Sequence, residues 1–363
     1  MKLLLCGDVC PTALTDAYFA NGDVKTLFGD VATLFDGNDV NLVNLECALT
    51  DKETPITKIG PNLKASLGTA STLARLGVNY CGLSNNHTFD YGRPGVMDML
   101  AALRENGITY TGFGENYADS RKNLVIEKSG ERITVIAVCE HEYSYAMENA
   151  MGARPFDAFD TLEDIRTAKA QGGRVIVLYH GGKEFCRYPS PRLLHVCRAM
   201  ARAGADLVLC QHSHCIGCYE AYEGCHILYG QGNFHFVGRG EDECWRSGFS
   251  VQYDSVTHGI AFVPHVMNEQ GIELAKGAEK EQLMVDFAAR NAELADGRWL
   301  DGWRAFCESM RSRYEKAVAE AGVGEDADGL VKHNHKFAHY LDCEAHTDVW
   351  RELYKSTHHT NEK

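Results

Sequence analysis

The sequence contains no apolar run long enough to cross a membrane or to act as a secretory signal. Its first run covers residues 3–6, follows Met1 and Lys2, and ends before Asp8. A signal-peptide core needs about 7–15 apolar residues, and a membrane helix needs about 20. We therefore expect a cytoplasmic protein without a leader or a membrane anchor.

Clusters of basic residues are also missing. The formal net charge is −14, and no run of lysine and arginine marks a track for a nucleic-acid backbone. We therefore expect no nucleic-acid partner, although a phosphate ester held through a metal ion stays compatible with this composition. Internal repeats and low-complexity stretches are absent as well, which argues against a repeat architecture.

Cysteine is plentiful, but its spacing does not form a disulfide framework. The 14 cysteines are scattered, and several, such as Cys6, Cys81 and Cys139, lie inside apolar runs. This pattern favours buried free thiols in a reducing compartment. The Cys215-x-x-Cys218 pair stands alone, and one such pair is a weak signal for a redox or zinc site.

The order of apolar runs predicts an α/β fold with a largely parallel sheet. Helical patterns at 68–76, 94–106, 160–171 and 190–203 alternate with strand-like runs, as expected for β-α units. The strand-rich stretch 206–265 lacks helices and predicts a second sheet. The predicted strands lie near 2–7, 40–45, 78–83, 124–127, 133–138, 174–179, 206–210, 226–230, 249–254 and 259–263.

The composition changes after about residue 275. Segments 279–295, 299–322 and 328–356 are rich in Ala, Glu, Lys and Arg and carry apolar residues at helical spacing. We expect a core domain over residues 1–275 and a helical extension of about three helices over residues 276–363. The extension could cap a cleft or form a contact between copies of the chain.

Short polar motifs follow six of the apolar runs. Ligands in open α/β sheets bind off the carboxyl ends of strands, so these motifs are expected to meet. Together they supply carboxylate, imidazole and amide groups, which suits one or two divalent metals held for hydrolysis. The candidate ligands are Asp8, Glu46, Asn86, His180, His212 and His214.

Three histidines favour Zn, Mn or Fe over Mg or Ca as the metal. His180 ends an apolar run, and a lone histidine there is more often structural than a ligand. His212 and His214 change this balance, because an i, i+2 pair on an extended backbone points to one face.

The neighbouring residues Asn86 and His87 are expected to have different roles. Asn86 offers an amide oxygen to the metal, while His87 points elsewhere and suits the role of general acid. Asp90, three residues later, is placed to orient the His87 ring. The alternative interpretation of this stretch is an Asn-rich turn.

Four further residues are candidates for substrate contact: Asn85, Lys183, Glu184 and Asn233. The loop from Lys183 to Arg187 carries two cations beside His180 and could attract a phosphate or a glutamyl carboxylate. Asn233 follows Gly232, whose small size would let the backbone approach a ligand, although a simple turn is an equal alternative.

Six motifs in order resemble the CapA family of poly-γ-glutamate capsule-biosynthesis proteins. The stretches are CGDVC, NLECALT, LSNNHTFDYG, VLYHGGKEF, GADLVLCQHSH and ILYGQGNFHF, over residues 6–236. The resemblance implies a calcineurin-like metallophosphoesterase fold, a four-layer α/β/β/α sandwich. It also implies two metals, with Asp8 and His214 on the first, Glu46 bridging, and Asn86, His180 and His212 on the second.

The motifs depart from the phosphoesterase pattern at three places. Asp-x-His is Asp8-Val9-Cys10, where Cys10 is either a thiolate ligand that would favour zinc or a core residue. Where the pattern has an aromatic residue after the histidine, this sequence has Gly181 after His180. Where the pattern has Gly-His-x-His, this sequence has Gln211 in place of the glycine.

The expected function is metal-dependent hydrolysis, with phosphoester cleavage first and a small anionic substrate. Two alternatives follow from the resemblance: action on a γ-glutamyl amide bond, or a non-catalytic role in a polymer synthesis and export assembly.

Overall fold

The protein is described here by a computed structural model that covers residues 1–239, 242–324 and 327–355. The strands are β1 Lys2–Val9, β2 Val40–Leu45, β3 Ala48–Leu49, β4 Lys64–Ala65, β5 Tyr80–Gly82, β6 Thr109–Thr111, β7 Phe113–Gly114, β8 Leu124–Lys128, β9 Glu131–Cys139, β10 Gly152–Ala153, β11 Arg174–His180, β12 Leu207–Gln211, β13 Tyr219–Tyr222, β14 Cys225–Leu228, β15 Asn233–His235, β16 Ser247–Asp254, β17 Gly259–Met267 and β18 Ile272–Leu274. The helices are α1 Asp16–Asn21, α2 Val24–Phe28, α3 Gly68–Leu76, α4 Gly92–Glu105, α5 Tyr117–Ser120, α6 Ala158–Ala170, α7 Pro191–Ala203, α8 Gly277–Asp296, α9 Trp299–Glu320, α10 Ala327–Asp342 and α11 Glu344–Lys355, with a 3₁₀ helix at Gly29–Phe35.

Two mixed sheets form the centre of the molecule. The larger has the order β18-β17-β16-β1-β2-β5-β6, with β15 also paired to β1, and the smaller has the order β13-β14-β12-β11-β9-β8. In the larger sheet β1, β2, β5 and β6 run parallel, and in the smaller sheet β9, β11, β12 and β14 do. The parallel strands of each sheet therefore end together at one edge.

Side chains alternate between the two faces of each strand, so both faces of each sheet are buried. The two sheets and the helices outside them form four layers, with three buried cores between the layers. Leu4 packs against the helices that cover the larger sheet, whereas Leu3 and Leu5 pack between the two sheets. On the smaller sheet, Leu178 faces the inter-sheet core and Val177 faces the opposite helices. The α/β class and the four-layer α/β/β/α order predicted from the sequence are confirmed.

Local signals fix the helices that cover these sheets. Ser190 caps α7 by accepting a hydrogen bond from the Leu193 amide at 3.0 Å, and Pro191 occupies the first turn. Gly204 ends the same helix with φ of 117°, a conformation that disfavours residues with a Cβ. The prediction of a helix over 190–203 is confirmed.

The predicted second sheet is present, but the strand-rich stretch 206–265 is divided between the two sheets. β12 and β14 join the smaller sheet, while β15, β16 and β17 join the larger one. Both sheets have a buried inner face, and the chain passes from one to the other through residues 229–232. A helix-free run of strands shows that crossover helices are absent, but it does not show which sheet each strand joins.

Within the described residues the C-terminal extension contains four helices, where about three were expected. α8 packs against β13 and β17, and Phe287 from α8 enters the inter-sheet core. The predicted helix 328–356 is broken at Cys343, which separates α10 from α11. Residues 356–363 of the extension lie outside the described residues.

Two further findings concern membrane-spanning helices and cysteine thiols. No helix within the described ranges is long and apolar enough to cross a membrane. All 14 cysteines are free thiols, and only Cys244 is more than slightly exposed. The prediction of buried free thiols is confirmed.

Candidate metal centre

The polar motifs meet where the parallel strands of both sheets end. The larger sheet brings its residues from β1, β2 and β5, and the smaller sheet brings its residues from β11 and β12. All six predicted ligands are buried at this edge: Asp8, Glu46, Asn86, His180, His212 and His214.

Two groups of side chains share one carboxylate. Glu46, His180 and His212 form one group, and Asp8, Glu46 and His214 form the other, with the donor atoms of each group within 4.8 Å of one another. Asn86 adds its Oδ1 at 2.9 Å from His180 Nε2. Mixed imidazole and carboxylate donors suit Zn, Mn or Fe.

Glu46 shows that the centre fits a cation. Its side chain is fully buried, and neither carboxylate oxygen has a hydrogen-bond partner in the described part of the chain. The nearest approach is Oε1 to His180 Nε2 at 3.3 Å. Burial, then Glu184 and Glu142, raise the pKa of Glu46 well above its usual range. A buried carboxylate without partners is costly, and a divalent ion would satisfy both oxygens.

Asp8 is held by a residue that the sequence reasoning did not assign. Asn44 Nδ2 donates to Asp8 Oδ1 at 2.7 Å and lies 3.2 Å from His180 Nδ1. Burial and the nearby Glu46 charge raise the pKa of Asp8 to about 6. Asn44 lies near the end of β2, two residues before Glu46, so the i, i+2 spacing was a readable signal.

His212 and His214 do not lie on an extended backbone, so the local reason given for their convergence is wrong. Their φ angles are 81° and 56°, both in the left-handed region. Such conformations cost about 1–3 kcal/mol each and cluster at functional sites. The turn sends the two rings to different groups, with ring centroids 6.0 Å apart.

The surrounding contacts select one free nitrogen on each of these rings. Asn233 Nδ2 donates to the Trp245 carbonyl, so its Oδ1 accepts from His214 Nδ1 at 2.8 Å and leaves Nε2 open. His212 Nε2 lies 3.5 Å from Glu142, while the buried Nδ1 has no partner within the described ranges. Carboxylate or amide partners of this kind fix the tautomer of metal ligands.

The centre histidines, His180, His212 and His214, are held neutral. Burial is the largest cause in each case and lowers the pKa of each ring to about 4, against the opposing attraction of nearby carboxylates. Neutral imidazole is the form that ligates a metal. These three rings therefore present unprotonated nitrogens at neutral pH.

His87 and Asp90 form a pair beside the ligand groups. His87 Nδ1 lies 2.6 Å from Asp90 Oδ2, and Lys58 Nζ contacts Asp90 Oδ1 at 2.5 Å. Asp90 also accepts from the Leu63 amide at 2.6 Å. Within the described residues, the side-chain contacts of the His87 ring are made by Nδ1, with Asp90 and with Lys58 Nζ at 3.1 Å. Lys58 was missed because it lies in an irregular segment without a motif.

Asn85 and Cys10, two further candidates from the sequence, lie outside the two ligand groups. The Asn85 side chain is used internally: it donates to Asn44 and the Leu45 carbonyl and accepts from the His87 amide. Cys10 lies outside both ligand groups, and burial keeps its pKa well above the usual range. Their predicted roles as substrate contact and metal ligand remain predictions.

Lys183 and Glu184 lie against the centre. The Lys183 side chain is 3% exposed and lies 3.6 Å from the Glu184 carboxylate. Lys183 and then the His212 and His214 rings outweigh burial and hold the pKa of Glu184 below its usual range. Gly232 lies close to protein backbone, because an added Cβ would meet the Ser247 carbonyl at 2.6 Å.

The C-terminal helices reach the centre through residues 140–145. Glu142 lies 3.5 Å from His212 Nε2 on one side and 3.5 Å from His339 Nε2 of α10 on the other. The Tyr143 ring stacks on His339 at 4.8 Å, and Glu344 of α11 accepts from the His141 amide at 2.8 Å. The helices therefore cover one side of the site.

Two weaker sequence signals do not form metal groups in the described part of the chain. Cys215 Sγ and Cys218 Sγ each contact a backbone carbonyl. His335, His339, Cys343 and His346 have the spacing of one helical face, but the helix is broken at Cys343, and His339 and His346 meet edge to face with ring centroids 4.6 Å apart.

The chain belongs to a family of capsule-synthesis proteins. The family model "Bacterial capsule synthesis protein PGA_cap" matches residues 2–237, which include every candidate ligand. The helices α8–α11 lie beyond this match.

Two curated relatives show how much of the chain is shared. The capsule biosynthesis protein CapA of Bacillus anthracis is 30% identical over 212 residues, 56% of this chain and 50% of that protein. The PGA biosynthesis protein CapA of Bacillus subtilis is 26% identical over 267 residues, 70% of this chain and 67% of that protein. The chain thus spans between half and two thirds of these relatives.

Solved structures overlap with the fold at low identity. A hypothetical protein from Thermus thermophilus gives a TM-score of 0.41 at 13% identity, covering 76% of this chain and 98% of that one. A dimetal phosphatase from Danio rerio gives 0.33 at 10% identity, covering 64% and 96%.

Proposed function

We propose that this protein is a metal-dependent hydrolase that cleaves a phosphoester. The observation that carries the proposal is Glu46, a fully buried carboxylate without hydrogen-bond partners in the described ranges and shared by two ligand groups. When bound there, one or two divalent transition ions would supply an activated water and would neutralise charge on the substrate.

The ligand roles follow the two groups. Asp8 and His214 would hold the first ion, Asn86, His180 and His212 would hold the second, and Glu46 would bridge them. Asn44 and Asn233 would position this set through their hydrogen bonds to Asp8 and His214. These partners are what keeps ligating groups in one orientation.

His87 is the proposed general acid. Asp90 accepts from Nδ1 at 2.6 Å and stabilises the protonated ring, so that Nε2 can give a proton to the leaving oxygen. Lys58 Nζ contacts Asp90 Oδ1 and also lies 3.1 Å from His87 Nδ1. This arrangement fixes the tautomer in the way a general acid requires.

Two buried ammonium groups favour an anionic substrate. The Lys58 and Lys183 side chains are only 2% and 3% exposed, and Lys183 meets its nearest carboxylate at 3.6 Å, outside ordinary hydrogen-bond distance. A phosphate or a carboxylate on the substrate would give the Lys183 ammonium its missing acceptor.

The direct test is hydrolysis of p-nitrophenyl phosphate and bis(p-nitrophenyl) phosphate with Mn, Zn or Fe added. We expect metal-dependent release of nitrophenol. Hydrolysis of an alkyl phosphate ester, whose alkoxide leaving group needs a proton, should be lost in His87→Gln although that variant keeps its metal. Metal bound at full occupancy with no hydrolysis of either ester would contradict the phosphoesterase proposal.

A second candidate is action on a γ-glutamyl amide bond during capsule-polymer synthesis. The observation that favours it is the family match over residues 2–237. The same centre would then act at a carbonyl carbon. Release of amine from a γ-linked glutamate oligomer, tested beside the two phosphate esters, separates the candidates, and a chain that contributes to an assembly without catalysis would show neither reaction.

A further inference from the structure

A second cavity lies away from the metal centre, between α8 and the loops around residues 187 and 244. Its volume is about 310 Å³, and its walls include Arg187, Cys244, Ser247, Gln282 and Arg290. Trp245, which follows the lining residue Cys244 in the chain, stacks on Phe185 at 6.0 Å and packs against His214 at 4.3 Å. We call this second cavity the arginine cavity.

Arg290 is the unusual member of this cavity. The residue is 7% exposed, and its one hydrogen bond in the described chain is from Nε to the Gly217 carbonyl at 3.3 Å. The two terminal nitrogens have no hydrogen-bond partner among the described residues. Burying a guanidinium in this way is costly unless an anion completes its hydrogen bonds.

A second guanidinium increases the cost. Arg187 Nε donates to Cys244 Sγ at 3.3 Å, and its terminal nitrogens also lack a hydrogen-bond partner in the described ranges. Burial, and then the Arg187 charge, lower the pKa of Arg290. The two like charges therefore repel each other across a space that no protein side chain fills.

The carboxylates of the cavity do not neutralise this pair at contact distance. Glu243, Glu279 and Asp286 also line the cavity, and Glu243 and Glu279 are exposed at its rim. Within the described ranges, neither Arg187 nor Arg290 comes within 4.0 Å of a carboxylate oxygen.

We propose that the arginine cavity binds a small anion through a carboxylate or phosphate group placed between Arg187 and Arg290. Guanidinium forks match both oxyanions and bind them in two-point contacts. Ser247 and Gln282 add polar groups to the wall. The site does not depend on the chemistry of the metal centre.

Cys244 gives a readout inside the cavity. It is partly exposed while the other 13 thiols are buried, so iodoacetamide should label it first. Labelling of the full chain is followed by peptide mass spectrometry with phosphate, with L-glutamate, and with chloride at matched ionic strength. At about ten times the dissociation constant, a bound anion should slow labelling about tenfold, because only the unoccupied fraction reacts.

The variants separate the site from general effects. Arg290→Gln and Arg187→Gln should lose the protection, measured as the ratio of rates with and without anion, and Arg187→Gln keeps the test open if Arg290→Gln fails to fold. Arg198→Gln, which removes an arginine paired to Glu220, is the matched control and should keep it.

The outcomes identify the ligand or overturn the site. Protection by phosphate alone assigns a phosphate ligand, and protection by glutamate alone assigns a carboxylate ligand. The same result in the His212→Ala background shows that the metal centre is not responsible. No protection by either anion, or equal protection in both arginine variants, would overturn the proposal.

Discussion

Replacing Glu142 with glutamine should weaken metal binding without touching a ligand. Glu142 lies 3.5 Å from His212 Nε2, on the side of the ring opposite to the unpartnered Nδ1. Although burial opposes ionisation, His212 and His339 hold the pKa of Glu142 below its usual range, so the carboxylate is charged at neutral pH. Its charge orients the ring and raises the basicity of Nδ1.

The size of the effect follows from that single contact. Loss of a partner behind a metal-bound histidine costs about 10–100-fold in affinity, or about 1.4–2.7 kcal/mol. The substitution keeps the side-chain volume, so the packing between residues 140–145 and α10 is retained. The loss should therefore appear in metal affinity and not in folding.

Competition with a chelator of known affinity measures the change for Mn and Zn. Glu344→Gln is the matched control, because Glu344 contacts His141 and not a centre histidine. We expect a loss of about 10–100-fold in Glu142→Gln and near wild-type affinity in Glu344→Gln. Unchanged affinity in Glu142→Gln would refute the view that this carboxylate supports His212.

Three further predictions test the acid, the pH response and the core. His87→Gln should lower kcat by about 10²–10⁴ while metal content is unchanged, measured by hydrolysis of an alkyl phosphate ester and elemental analysis; equal loss of metal would show a ligand instead. Without metal, the free energy of unfolding should fall as the pH drops from 6.5 to about 4. The centre histidines and His265 have a pKa of about 4 in the folded protein. In the unfolded chain the same histidines become protonated at higher pH, so their protonation favours the unfolded state. Asp8 and Glu46, whose pKa values are raised, act in the opposite direction but are fewer, so a rise in stability over this window in urea titrations would contradict the account. Phe249→Ala removes a ring that packs edge-to-face on Phe287 at 4.8 Å between the sheets. The free energy of unfolding should fall by about 3–5 kcal/mol in the same titrations. A fall below about 1 kcal/mol would mean that the inter-sheet core is not tightly packed.

The ends of the parallel strands were the part of the site that the sequence could predict. His180 follows an apolar run directly, and the register of β11 with β12 then places it opposite Gln211, one residue before His212. Such runs are readable because both faces of a central strand are buried. The topology therefore brings the segments that carry the six candidate ligands to one edge of the molecule.

The supporting contacts could not be predicted, because they depend on long-range packing. Lys58 reaches Asp90 from an irregular segment, and His339 reaches Glu142 across about 200 positions of the chain. Neither position carries a local pattern that indicates its partner. The turn at His212 and His214 was also missed, since the strand pattern suggested an extended backbone where both residues have positive φ.

Metal content tests the central claim most directly. Elemental analysis of the purified wild-type protein beside His212→Ala, before and after addition of Mn, Zn or Fe, measures whether the two groups around Glu46 hold ions. The account predicts one or two transition-metal ions per chain, with a clear loss in the variant. A wild-type protein that binds no metal even after addition, or a variant that binds as much as wild type, would contradict it.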